Sequence, residues 1–240
     1  PDDLQKKFLP QVLALSEEYS INQLMPLMAK GNSATESEKL EAAKTMSRFS
    51  GISEKAIISY NLDVPTTFFW KELLREEGFT IGRLDSRYKG IDKIAGGDRP
   101  DYWAELTSWN HSFAPAINYY FKNVLKFETD VKYNLFGPVY PWDWKNNNSG
   151  ESLRKAMAAN PYLHTMIQSG YYDGATRYFD AKYTMWQLDP SGKMKDRLSF
   201  EGYRSGHMMY LREVDLIKSN SDIRKFIKKT TPSSTKPAKY

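Results

Sequence analysis

Two residues stand where chemistry gathers: Asp173 and His207. Asp173 lies in Ser169-Gly170-Tyr171-Tyr172-Asp173-Gly174-Ala175-Thr176, just after a strand predicted over 163–168. His207 lies in Arg204-Ser205-Gly206-His207-Met208-Met209-Tyr210, just after a strand predicted over 198–203, and 34 residues beyond Asp173. Catalytic groups of open α/β sheets collect at the carboxyl ends of strands. An Asp after one strand and a His after the next follows the chain order of a Ser…Asp/Glu…His triad. In such a triad the His takes the hydroxyl proton of the serine and later gives it to the leaving group. The Asp holds the ring in the right tautomer and stabilises the imidazolium. Taken singly, each residue also has a structural reading: an Asp in a turn, a His in a Gly-His-Met loop. Order, spacing and matching strand-end positions together single out the pair. Tyr171, Tyr172 and Met208 flank it and are the candidate substrate contacts, with packing as the alternative for each.

Other chemistries are set aside by composition. The chain has no Cys, so no disulfide framework, thiolate metal site or Cys nucleophile is available. The only His are His111, His164 and His207, and no His-Glu-x-x-His occurs. His111, beside a predicted helix start, and His164, within the first strand, read as structural. Asp85, Asp92 and Asp98 could suggest a cation loop, but Arg87 and Lys89 interrupt them and no EF-hand spacing fits. They read as solvated loop residues. Met185, Trp186, Met208 and Met209 read as core rather than cofactor contacts. The expectation is no metal and no organic cofactor.

The elements that must position the pair follow from periodicity. Leu163–Gln168 and Leu198–Tyr203 flank an amphipathic helix predicted over 175–188, which makes a βαβ unit with parallel neighbouring strands. A closing helix is predicted over 211–228. Ser149 is the expected N-cap of a helix reaching Ala159, after a turn at 146–150. Phe127–Phe136 reads as extended, with Val131, Tyr133 and Leu135 alternating. A helix bearing Phe113, Ile117, Tyr120, Phe121 and Val124 precedes it. Residues 1–80 read as short amphipathic helices: Pro10 as a kink, Thr35 and Glu38 as a capping box, Gly51 as a stop, Ser53 and Thr67 opening further helices. The organisation expected is a helical segment over 1–80, an α/β segment over 81–229 and a disordered basic tail over 230–240.

The 240 residues carry a net charge of +5. Lys218 to Tyr240 alone contributes seven basic residues against Asp222, a net +6, so residues 1–217 sum to −1. The basic balance belongs to the tail, and no nucleic-acid partner is expected. No stretch approaches 18 apolar residues, so no membrane span is expected.

The quoted motifs carry a resemblance. Ser169–Phe179 resembles the Gly-x-x-Asp segment that bears the triad acid of the serine carboxypeptidase family, and Gly206-His207-Met208 resembles its Gly-His-Met or Gly-His-Glu loop. Gly82-Arg83-Leu84-Asp85-Ser86-Arg87-Tyr88-Lys89-Gly90 and Pro141-Trp142-Asp143-Trp144 look like the bacterial branch. The resemblance covers residues 1–229. It implies the C-terminal half of an α/β-hydrolase sheet with an N-terminal helical cap segment, removal of C-terminal residues from peptides through an acyl-enzyme, and a periplasmic or secreted protein. Asp173 would orient and His207 would act as acid and base.

Two departures qualify that implication. The family's Gly-x-Ser-x-Gly nucleophile turn does not occur in the chain; Gly150-Glu151-Ser152 mimics its first half, but Arg154 breaks it and no strand precedes it. The expectation is that the nucleophile lies upstream of Pro1, that the chain is a piece of a longer polypeptide, and that the nucleophile-bearing part is its partner. By itself it should be inactive. The second departure is Met208, where members with Glu form a carboxyl pair that favours acid pH. Two other readings stand beside the peptidase: an esterase or acyltransferase of the same fold, and a non-catalytic binding piece.

Overall fold

The structure, a computed structural model, describes residues 3–135, 137, 141, 143, 145 and 148–232. Trp142 and Trp144, Phe136, Asn146 and Asn147 of the predicted turn, and residues 233–240 of the predicted tail lie outside the described residues. The chain divides into two compact units. One runs to Ile81 and adds Gly90–Tyr102; the other joins Gly82–Lys89 to the chain from Trp103 onward.

The first unit is helical. Helix α1 (Leu9–Tyr19) passes through a π turn (Ser20–Leu24) into α2 (Met25–Ala29). Pro10 does not kink α1. It sits in the first turn, where a missing N–H costs nothing. Helix α3 (Glu36–Ser50) opens on the predicted capping box: Glu38 N–H donates to Thr35 Oγ1, and Thr35 N–H donates back to Glu38 Oε2 at 2.8 Å. The Lys30 ion pair, and then that box, hold the Glu38 carboxyl down to about 2. Gly51, at φ +82°, ends α3 in the left-handed region that a residue with a Cβ avoids. Ser53 caps α4 (Glu54–Ser59), and α5 (Thr66–Glu72) follows. The apolar faces meet in a core of Ala42, Ala43, Ile52, Ile57 and Leu62, ringed by Leu24, Leu27, Met46 and Phe69.

Asp92 is not solvated as expected. Its side chain and that of Lys71 are almost fully buried as an ion pair, and Lys71 Nζ also donates to Ile94 O at 2.6 Å. An isolated charge could not be buried there, so each makes the other's burial tolerable. Two-residue strands β1 (Thr80–Ile81) and β2 (Lys89–Gly90) mark where the chain crosses between units.

In the second unit, α6 (Ala104–Tyr119) continues into a π turn (Tyr120–Val124). His111 lies in the middle of α6 rather than beside its start. The stretch after Phe127 forms no strand over its described residues. Phe127 and Tyr133 instead turn back edge-on against Phe121, at 6.2 and 5.5 Å between ring centres, and Val131 is 78% exposed. The alternation there had no buried face behind it.

Helix α7 (Ser149–Ala159) begins at Ser149 itself, with Asn148 in the cap position and no side-chain cap bond. Strand β3 (Thr165–Gly170), helix α8 (Tyr178–Leu188), strand β4 (Leu198–Tyr203) and helix α9 (Glu213–Thr230) complete the unit. Strands β3 and β4 pair in parallel, from Thr165 opposite Leu198 to Gly170 opposite Tyr203. Strand β3 starts two residues later than predicted, leaving His164 just outside it. One Arg197 Nη1 donates to the carbonyls of Met157, Asn160 and Leu163, which ties residues 160–163 to the end of α7. The mixed α/β class therefore holds in coarse form: mostly helix, with a two-stranded parallel ladder among the described residues. No described helix is long and apolar enough to cross a membrane.

Candidate active site

The register of the ladder sets the site. Gly170 and Tyr203 end their strands side by side, so the loops that follow emerge at the same level. Tyr171 N–H donates to Tyr203 O at 2.9 Å and Tyr172 N–H to Ser205 O at 3.0 Å, which continues the pairing past the strands. Gly170 permits this approach, because a Cβ there would collide with the backbone of Ser205 and Gly206.

These loops bring Asp173 and His207 into contact. Asp173 Oδ2 lies 2.8 Å from His207 Nδ1. The other oxygen, Oδ1, accepts the amides of Ala175 and Thr176 at 2.8 and 2.9 Å. The latter turn delays α8 to Tyr178 rather than 175. Asp173 is buried, while the imidazole is 46% exposed. A carboxylate at Nδ1 favours a proton on that nitrogen, which leaves the Nε2 lone pair for a second partner. A carboxylate fixed on one side and a half-exposed ring on the other make an oriented acid–base group.

The His loop is held from below as well. Buried Ser205 donates to Asp215 Oδ2 and lies 3.3 Å from Met209 O, and Arg212 Nη1 bonds Asp215 Oδ1 at 2.9 Å. The flanking candidates are engaged within the protein. Tyr171 packs edge-on against Tyr178 at 5.3 Å and presses against Gly202, where a Cβ would strike its ring. Tyr172 lies under the Arg87 guanidinium at 5.2 Å. Met208 is half-buried, and its backbone carbonyl accepts Leu211 N–H at 3.1 Å. Trp186, read as core, is 39% exposed. Ser152 sits in the first turn of α7, its N–H on Asn148 O at 2.9 Å, as a helix residue should.

The segment 82–89, singled out in the sequence only for its resemblance, braces both loops. Its Arg83 O accepts Gly174 N–H at 3.0 Å, its Ser86 N–H donates to Tyr172 O at 2.9 Å, and its Leu84 O accepts His207 N–H at 2.7 Å. Arg87 forks onto Asp85 through Nε and Nη2, and its Nη1 reaches Arg204 O at 2.8 Å. Asp85 is thus a buried ion-pair partner, not a solvated loop residue. Glu105, in the first turn of α6, is fully buried and accepts Leu84 N–H at 2.7 Å through Oε1. Burial, with Asp85 nearby, pushes its carboxyl upward against the pull of the amides. The signal available in the sequence was slight: a Glu set among apolar residues at a helix start. Among the described residues, no cluster of three His, Cys, Asp or Glu could hold a metal ion.

Comparison with protein-family models, curated proteins and solved structures gave no match for this chain.

Proposed function

We propose that this chain supplies the acid–base pair of a serine-carboxypeptidase-like α/β hydrolase, with the nucleophilic serine on a segment outside residues 1–240. The observation that carries the reading is the 2.8 Å contact between His207 Nδ1 and Asp173 Oδ2 at the aligned ends of two parallel strands. In this reading β3 and β4 belong to the C-terminal half of the hydrolase sheet, and residues 1–80 are the cap segment.

The reaction would run in two halves. His207 Nε2 takes the serine hydroxyl proton as the serine oxygen attacks the carbonyl carbon of the C-terminal peptide bond. Asp173 holds the resulting imidazolium. The same proton passes to the leaving nitrogen as the C–N bond breaks, which frees the terminal amino acid and leaves an acyl ester. Water then attacks the ester, gives its proton to His207, and the serine oxygen recovers it as the shortened peptide departs. The scheme calls on no cofactor.

Two features support a missing partner segment. Parallel sheets occur with both faces covered, and an isolated two-stranded pair is marginal. Helix α9 also leaves Val214, Ile217 and Ile227 more than half exposed, at 61%, 63% and 56%. The family reading further makes the protein periplasmic or secreted, acting on peptides.

The test is fluorophosphonate labelling of the material that purifies with this chain, followed by peptide mapping. The expected result is a labelled serine outside residues 1–240, with labelling lost in His207→Ala. Absence of a labelled serine, or labelling indifferent to His207→Ala, would overturn the proposal.

A further inference from the structure

We infer that Glu105 is a positioning residue for His207, acting through the backbone of Leu84. The inference rests on the reading of His207 as the general base. Leu84 is held from both sides: its N–H donates to Glu105 Oε1 at 2.7 Å, and its carbonyl accepts the His207 N–H at 2.7 Å. Glu105 therefore fixes the residue on which the His207 backbone is hung. The neighbouring bonds from Arg83 to Gly174 and from Ser86 to Tyr172 fix the Asp173 loop to the same segment. One strap thus sets the separation of acid and base.

The position is an expensive one. Glu105 is 0% exposed, and its Oε2 has no hydrogen-bond partner among the described residues. A buried oxygen without a partner costs stability, and an uncompensated buried charge costs more. Burial favours the neutral acid, which removes the charge and still accepts from Leu84 at Oε1. Gly82 makes room for it, because a Cβ at that position would overlap Oε2. The charged group facing it is Asp85, itself neutralised by the Arg87 fork. Glutamine reproduces the neutral acid closely, with an acceptor for Leu84 and a donor in place of Oε2.

The test compares Glu105→Ala with Glu105→Gln by amide hydrogen exchange and, in the complete complex, by peptide hydrolysis. In Glu105→Ala the Leu84 and His207 amides should exchange about tenfold faster, as loss of one hydrogen bond implies. A shift of the general base should lower kcat by about a hundredfold while KM moves less than about twofold. Glu105→Gln should restore both the exchange rates and kcat. Should Glu105→Ala fail to fold, Glu105→Asp, which withdraws the acceptor by one methylene, takes its place. Unchanged exchange at His207 in a folded variant, or a glutamine variant as impaired as alanine, overturns the inference. If the wild-type complex hydrolyses no peptide, the functional reading fails alone, because exchange at His207 still decides the positioning role.

Discussion

Asp173 uses its two carboxylate oxygens differently. Oδ1 shapes its own loop through Ala175 and Thr176, while Oδ2 faces His207. Asp173→Asn should separate these roles. The amide oxygen can still close the turn, so the fold should persist. The amide nitrogen would face Nδ1 as a donor and drive the ring proton to Nε2, where a base is needed. Under the proposed hydrolase reading, peptide hydrolysis with the serine-bearing segment present should fall by roughly 10⁴-fold, with thermal stability near that of wild type. Asp173 and His207 were legible because strand ends are places where local patterns and topology coincide. Glu105 was not, because its meaning depends on Leu84, and Leu84 in turn on His207 far along the chain. Asp85 and Asp92 were misread because a carboxylate looks solvated until its cation is found. Asp85 has Arg87 two positions on, but Asp92 has Lys71 twenty-one positions back.

At the scale of elements, two starts moved where a side chain took over the backbone's partners. Thr35, Gly51 and Ser53 act within a few residues, and the helices they bound fell where the sequence placed them. Strand β4 did as well, since its apolar pattern is short and flanked by polar turns. Strand β3 and helix α8 started late because Arg197 and Asp173 captured the preceding carbonyls and amides. Arg197 joins the end of α7 to the approach of β3 with a single guanidinium nitrogen. Arg197→Ala would strip three carbonyls of one shared donor, and denaturant unfolding should show a loss of about 1–3 kcal/mol. The stretch 127–135 shows the opposite failure. Its alternation was real in sequence, but no neighbouring strand was there to use it, and the aromatic side chains packed locally instead.

For the molecule as a whole, the division into two units has thermodynamic consequences. The helical unit has its own core around Ala43 and Ile57. The other unit buries Met157, Tyr203, Ser205 and Trp109. Each holds enough private contacts to melt as its own cooperative body. Calorimetry should therefore give a total enthalpy larger than the van't Hoff enthalpy, the mark of more than one transition. Ile57→Ala, at a fully buried position, should weaken one transition by about 2–5 kcal/mol and leave the other in place. A single transition that shifts as one would contradict this division.

The strap also has a history written into its spacing. Glu105 stands 21 residues beyond Leu84, whereas Arg87 waits for a carbonyl 117 residues away. At a synthesis rate of about 5–20 residues per second, the first pairing becomes available after about 1–4 s and the second only after roughly 6–23 s. The nascent chain can thus set Leu84 on its anchor well before His207 has been made. The order of synthesis thus matches the order of support, the anchor of Leu84 being made before the histidine that hangs from it.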